Sequence, residues 1–254
     1  PRLAHFAAAR AVLAVLAAPA LAGCLKIPTG HAQARTPADD RPADILAWPG
    51  KPPAALYTPG ETRVFDLIQG GKKIGTSWGR YDGPLAGGLH QFSTRVELRA
   101  PTTDARNTAP PEPLRSVGEI VLDARGELLR GFERSRSVEL RFERSDETLV
   151  FTTGREREEL GFRPGTAFMA FATMFHEELM FGLRELKEGP LAWRLISLSG
   201  SLPSDWSATL TVPDPHAPTI AVVNTSLGEV IHLRDGRIER VEVSADDLEV
   251  VVPA

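Results

Sequence analysis

Ser137-Val138-Glu139-Leu140-Arg141-Phe142-Glu143-Arg144 puts Val138, Leu140 and Phe142 on one side of an extended chain and Glu139, Arg141 and Glu143 on the other. Successive strand side chains point to opposite faces, so this period of two marks a strand with one face buried and one wet. Parallel sheets are covered on both faces, and the pattern therefore predicts an antiparallel sheet. Working upstream, Arg63 to Gln69 and Lys72 to Tyr81 flank a Gly70-Gly71 hairpin turn, and Gly75 and Gly79 predict bulges or a bend. Leu89 to Arg99 follows, and Leu114 to Asp123 and Glu127 to Arg134 flank the turn Ala124-Arg125-Gly126. Downstream, Glu147 to Thr153 closes the first half. Further strands are expected at Leu191 to Ser197, Ser207 to Val212, Thr219 to Asn224, Gly228 to Arg234, Arg237 to Ser244 and Leu248 to Val252, with Asp235-Gly236 as a hairpin turn. The expected fold class is mainly β (α+β): a curled antiparallel sheet or unclosed barrel of about a dozen strands around one apolar helix.

That helix is expected over 166–186, with Thr166 as N-cap and Gly189-Pro190 beyond its end. At helical spacing Phe168, Ala172, Phe175, Leu179, Leu183 and Leu186 share a face, bordered by Met169 and Met180 on one side and by Phe171 and Met174 on the other. All three Met and four of the eleven Phe of the chain fall here, the composition of an adaptable apolar wall. One reading makes this a core helix filling the sheet. A second makes it a pocket for a hydrophobic ligand such as lipid, lined by Phe168, Phe171, Met174, Phe175 and Met180, and a third makes it a partner surface.

The chain has 254 residues, 42 % hydrophobic and 24 % charged, which is ordinary globular composition. Twenty-nine Lys and Arg against 33 Asp and Glu leave a charge of -4 without a long basic block, so nucleic acid is not an expected partner. One Cys excludes an intrachain disulfide and the zinc sites that need paired thiolates. The stretch His176-Glu177-Glu178-Leu179-Met180 has the spacing of a zinc-protease helix, but Met180 stands where the second His ligand belongs. His176 and Glu177 remain the one helix pair placed for acid/base work, as an alternative to a non-enzymatic role. Beyond the first 23 residues the other histidines, His31, His90, His216 and His232, are scattered, so no metal site is expected. Gly75-Thr76-Ser77-Trp78-Gly79 has the letters of a nucleophile elbow, but it lies inside a predicted strand instead of between strand and helix. No phosphate-binding loop or dinucleotide fingerprint occurs, and no cofactor is expected. Arg155 to Glu159 alternates charges in the manner of a solvated edge or loop, with surface ion pairs that would also guard an edge against aggregation.

At the N-terminus, Arg2 and Arg10 precede an apolar run from Ala11 to Ala20, too short to span a membrane, followed by Leu21-Ala22-Gly23-Cys24. These four residues resemble the lipobox of bacterial lipoproteins in every position. The resemblance implies a signal peptide over 1–23, acylation of Cys24, and anchoring of the mature chain in the membrane by lipid. Leu25 after the Cys, in place of Asp, implies the periplasmic face of the outer membrane. Residues 24–60, rich in Pro and Ala, are expected to form a tether to a β-rich domain over 61–254. Ile45-Leu46-Ala47-Trp48 and Leu56-Tyr57 are apolar enough to dock on that domain.

Gly70-Gly71-Lys72-Lys73-Ile74-Gly75 resembles the opening hairpin of β-rich periplasmic domains, and the hairpin from Leu227-Gly228 to Arg240-Val241-Glu242 resembles their closing strands. Through that architecture the chain also resembles the lipoprotein carriers LolA and LolB, whose unclosed barrels hold acyl chains. The expected function is thus a non-enzymatic envelope lipoprotein that binds a hydrophobic ligand or an envelope protein in or beside a curled sheet. An envelope hydrolase, or the accessory β-domain of one, is the first alternative. A purely structural assembly lipoprotein is the second.

Overall fold

The computed structural model describes residues 44–253 apart from 47–50, 100–112, 136–137, 155, 164–165, 170–176, 184, 186, 198–203, 215, 218, 227 and 245–246. Fourteen antiparallel strands form one large sheet that is not closed into a barrel. The first run is β2 (Thr62–Gln69), β3 (Lys72–Pro84), β4 (His90–Leu98), β5 (Leu114–Leu122), β6 (Leu128–Ser135), β7 (Val138–Ser145), β8 (Thr148–Thr153) and β9 (Glu156–Gly161). The second is β11 (Gly189–Ser197), β12 (Ser204–Thr211), β13 (Ile220–Thr225), β14 (Glu229–Arg234), β15 (Arg237–Val243) and β16 (Leu248–Val251). Each run is a meander of neighbours, and β16 pairs with β2 to join them. Two short strands, β1 (Asp44–Ile45) and β10 (Ala167–Met169), add in parallel to the outer edge of β11.

Turn chemistry explains the meander. Gly70 and Gly71 take φ of 54° and 71°, the left-handed pair that a two-residue hairpin demands, and Asp235 and Gly236 do the same between β14 and β15. Between β5 and β6 the Asp123 carboxylate accepts from the N–H groups of Arg125 (2.9 Å) and Glu127 (3.0 Å). The expected irregularity near Gly75 is a bulge: the pairing of β2 with β3 slips between Leu67 and Ile68.

The alternation read at Val138 to Arg144 holds from Leu140 to Glu143 and carries across the neighbouring strands in register, whereas Val138 at the strand's start is 48 % exposed. Cross-strand registers line up Tyr81, Phe92, Ile120, Gly131, Phe142 and Phe151 on the concave side. They line up Glu119, Phe132, Arg141, Thr152 and Arg157 on the convex side. The concave residues belong to one apolar core that also takes in Tyr57, Phe162, Phe168, Leu179, Phe181 and Leu183. Gly161 and Ala167 stand at opposite ends of the sheet yet are six residues apart, so at most about 20 Å of chain separates the ends. The sheet must therefore curl around the core.

The helix expected over 166–186 does not start where the sequence pattern put it. Thr166 donates its N–H to Arg163 O (3.0 Å) in a turn instead of capping a helix, and Ala167–Met169 pair with Leu195–Ser197 as β10. The physical reason is the open edge of β11, whose backbone groups find partners in β1 and β10. The helical residues described are Glu177 and a π-helical turn, Glu178–Gly182; residues 170–176 lie outside the described set. The expected docking of Ile45 to Trp48 is met as far as Leu46, whose N–H donates to Ala192 O (2.8 Å). As expected of Arg155 to Glu159, Glu156–Gly161 is the end strand of the sheet, with Arg157 and Glu159 paired at 2.8 Å.

Candidate functional site

Of the five residues proposed from sequence to line a pocket, Phe168 is 0 % and Met180 3 % exposed, and both pack within the core. Phe171, Met174 and Phe175 lie outside the described residues, as do Cys24 and His176. Glu177 is 3 % exposed, so an acid/base role for it would require a substrate to enter the core. His90 is buried and shares a 2.8 Å hydrogen bond with the Tyr81 hydroxyl, and burial lowers its pKa. Among the described residues no cluster of three His, Cys, Asp or Glu is placed to hold a metal ion.

Next to Glu177, the π-turn delivers a side chain that the sequence reading passed over. The Glu178 carboxylate is 1 % exposed and accepts from the Tyr57 hydroxyl (2.6 Å), Arg63 Nη2 (2.9 Å), Arg63 Nε (3.2 Å) and the Ile238 N–H (3.0 Å). Arg237 Nη1 lies 3.6 Å from it, and the Arg237 guanidinium stacks over the Tyr57 ring at 4.5 Å. Arg237 also donates to Leu56 O and pairs with Glu61. Burial, and then the Glu178 charge, push the Tyr57 pKa well above its ordinary value. The carboxylate draws its donors from three separate elements, and this ties the strap at residues 56–61 to the π-turn, to β2 and to the β14–β15 hairpin. Glycines permit the approach: a Cβ on Gly182 would sit 2.1 Å from Gly236 O. With its central carboxylate buried between two arginines, this cluster is a clasp rather than an open site.

The open site is on the other side of the sheet. A groove of about 660 Å³ runs over the convex face of β5 to β9, with Phe132, Val150 and Thr152 as its floor and Arg130, Arg141 and Arg157 around them. Four arginines, Arg144 included, and two glutamates line it. Arg144 is committed to Asp123 and Glu127, each at 2.8 Å. Glu119 accepts from Gln91 (3.0 Å), and Glu143 stands opposite Arg130 in the ladder. Arg141 and Arg157 are about two-thirds exposed and, among the described residues, form ion pairs with neighbours on their own strands, Glu139 and Glu159. Exposed pairs of this kind contribute at most about 1 kcal/mol and exchange readily for a better anion. On the concave side of the same strands, Glu133 accepts a hydrogen bond from Ser116 while burial raises its pKa to about 7.

The groove has no sequence signature, because its arginines come from three strands whose register the sequence alone does not fix. No family model, no curated protein and no solved structure matches the chain.

Proposed function

We propose that this protein is a lipid-anchored, non-enzymatic binding protein of the bacterial cell envelope. Its binding surface in this reading is the convex groove over β5 to β9, and the interior of the curled sheet is a packed core. The observation that carries the reading is the contrast between the two faces. Phe168 and Met180 are sealed among core side chains, whereas the convex face has an open groove of about 660 Å³ with exposed arginines over an apolar floor. Ligand sites are typically concave and partly apolar, with a few polar groups that fix orientation, and the groove meets that description.

The anchor rests on Leu21-Ala22-Gly23-Cys24. From Cys24 to Asp44, where β1 ties the chain to the sheet, twenty residues span at most about 70 Å, enough for the domain to work close to the membrane surface. Metabolic labelling with a palmitate analogue, in the intact chain and in Cys24→Ser, tests the anchor. Photo-crosslinking from Thr152 in living cells tests the surface: adducts at this site and none at exposed Leu85 support the groove, and equal adducts at both positions would sink it.

A further inference from the structure

The convex groove combines two chemistries that a single ligand must satisfy. Arg141, Thr152 and Arg157 stand side by side on β7, β8 and β9, so the two arginine backbones are about 10 Å apart with a hydroxyl between them. Arg130 adds a third cation from β6 on the adjoining row, where Glu143 of β7 stands between it and Val150. Two guanidinium-bearing residues on either side of a hydroxyl suit a tetrahedral oxyanion, because each fork can donate two parallel N–H groups to it once it leaves its strand neighbour. Phe132 and Val150 form an apolar floor next to that point, and a bare phosphate would leave them uncovered.

We propose that the groove binds a phosphate-bearing amphiphile, with the phosphate between Arg141 and Arg157 at the Thr152 hydroxyl and the apolar part over Phe132 and Val150. This rests on the groove being the binding surface, as argued above. Glu139 and Glu159 give up their exposed pairs with the two arginines when the phosphate enters. Glu143 and Glu119, both in the lining, keep Arg130 and Gln91 as neighbours and bound the site against a second anion.

The test uses the full chain carrying Cys24→Ser, so that no anchor contributes, titrated calorimetrically with dihexanoyl phosphatidic acid below its micelle concentration. Dihexanoyl phosphatidylcholine and inorganic phosphate are the comparators. Phosphatidic acid should bind, with affinity falling as salt rises, and Arg141→Gln with Arg157→Gln should weaken it by about a hundredfold or more, the loss of two charge-assisted contacts. Val150→Asp should also weaken it, and each variant must keep the strand circular-dichroism signal and melting temperature of the parent. Equal binding of the choline lipid would overturn the phosphate assignment, and equal binding of inorganic phosphate would overturn the amphiphile. If phosphatidic acid does not bind while crosslinking from Thr152 still captures an envelope component, the ligand class is wrong and the binding surface stands. If neither is seen, both fall.

Discussion

Replacing Glu178 by Ala should be among the most damaging single changes in this fold. The carboxylate takes hydrogen bonds from Tyr57, Arg63 and the Ile238 N–H at 2.6–3.2 Å and lies 3.6 Å from Arg237, with 1 % of its side chain exposed. Its removal leaves two arginines, only about a fifth exposed, facing each other without the anion between them. Removing one partner of a buried ion pair costs about 3–5 kcal/mol. A domain of this size holds roughly 5–15 kcal/mol in total and loses about 2–4 °C of Tm per kcal/mol, so a fall of about 6–20 °C is expected. Glu178→Gln keeps one acceptor oxygen, enough for Ile238 and Arg63 but not also for Tyr57, and should cost less than Ala. Urea unfolding followed by circular dichroism measures both variants. The double variant Glu178→Met with Arg63→Met should recover part of the loss, since an apolar pair avoids the desolvation that the ions undergo. A cost for Glu178→Ala below about 1 kcal/mol would refute the clasp, because that is the value of an exposed pair.

Other outcomes follow from the same geometry. Glu133 is an acid whose pKa rises from 4.5 to about 7 in the folded chain, so the folded state holds its proton more tightly. Its stabilising contribution is complete below about pH 4.5 and is lost as pH rises through about 7. The full shift corresponds to about 3 kcal/mol, which the partial exposure of the side chain reduces to about 1–2. Glu133→Gln should therefore stabilise the protein at pH 8 and flatten its stability between pH 5 and 7, as read by denaturant midpoints across pH. Tyr57 and Tyr81, the two tyrosines of the chain, both have pKa values raised above the ordinary value, chiefly by burial. An ultraviolet titration should show no phenolate until well above pH 10, with stability lost as pH climbs past it; a normal titration in the folded chain would contradict their burial. Gly182→Ala forces a Cβ to within 2.1 Å of Gly236 O in a turn whose own φ of +74° leaves it little freedom. A loss of about 1–3 kcal/mol or more is expected in thermal melts, and an unchanged Tm would mean that the π-turn and the hairpin do not meet as described.

The sheet was legible where local rules suffice. Leu140 to Glu143 announces its two faces, and Gly70-Gly71 and Asp235-Gly236 announce their hairpins, because a hairpin is decided by neighbours in sequence. Ala167–Met169 misled because Phe and Met at helical spacing also suit a strand, and the decision was made by the unpaired edge of β11 some thirty residues away. The clasp was not legible at all: the partners of Glu178 stand 121, 115 and 60 positions from it in sequence. The same holds for the groove, since Arg130, Arg141 and Arg157 become neighbours only once three strand registers are fixed. Charged residues on alternate positions of a strand look like ordinary solvation until cross-strand pairing reveals which of them stand together.

The central claim is that the inside of the curled sheet is filled and that binding takes place on its convex face. Leu149 and Val150 are adjacent on β8 with side chains on opposite faces, Leu149 at 0 % exposure in the core and Val150 on the groove floor. Methyl-resolved NMR of the full chain carrying Cys24→Ser, titrated with dihexanoyl phosphatidic acid, reports on both faces at once. Progressive movement of the Val150 methyl signals, with Leu149, Leu179 and Leu183 unmoved, is the result this account predicts. Movement of Leu149, Leu179 and Leu183 with Val150 unmoved would place the ligand inside the sheet and contradict it.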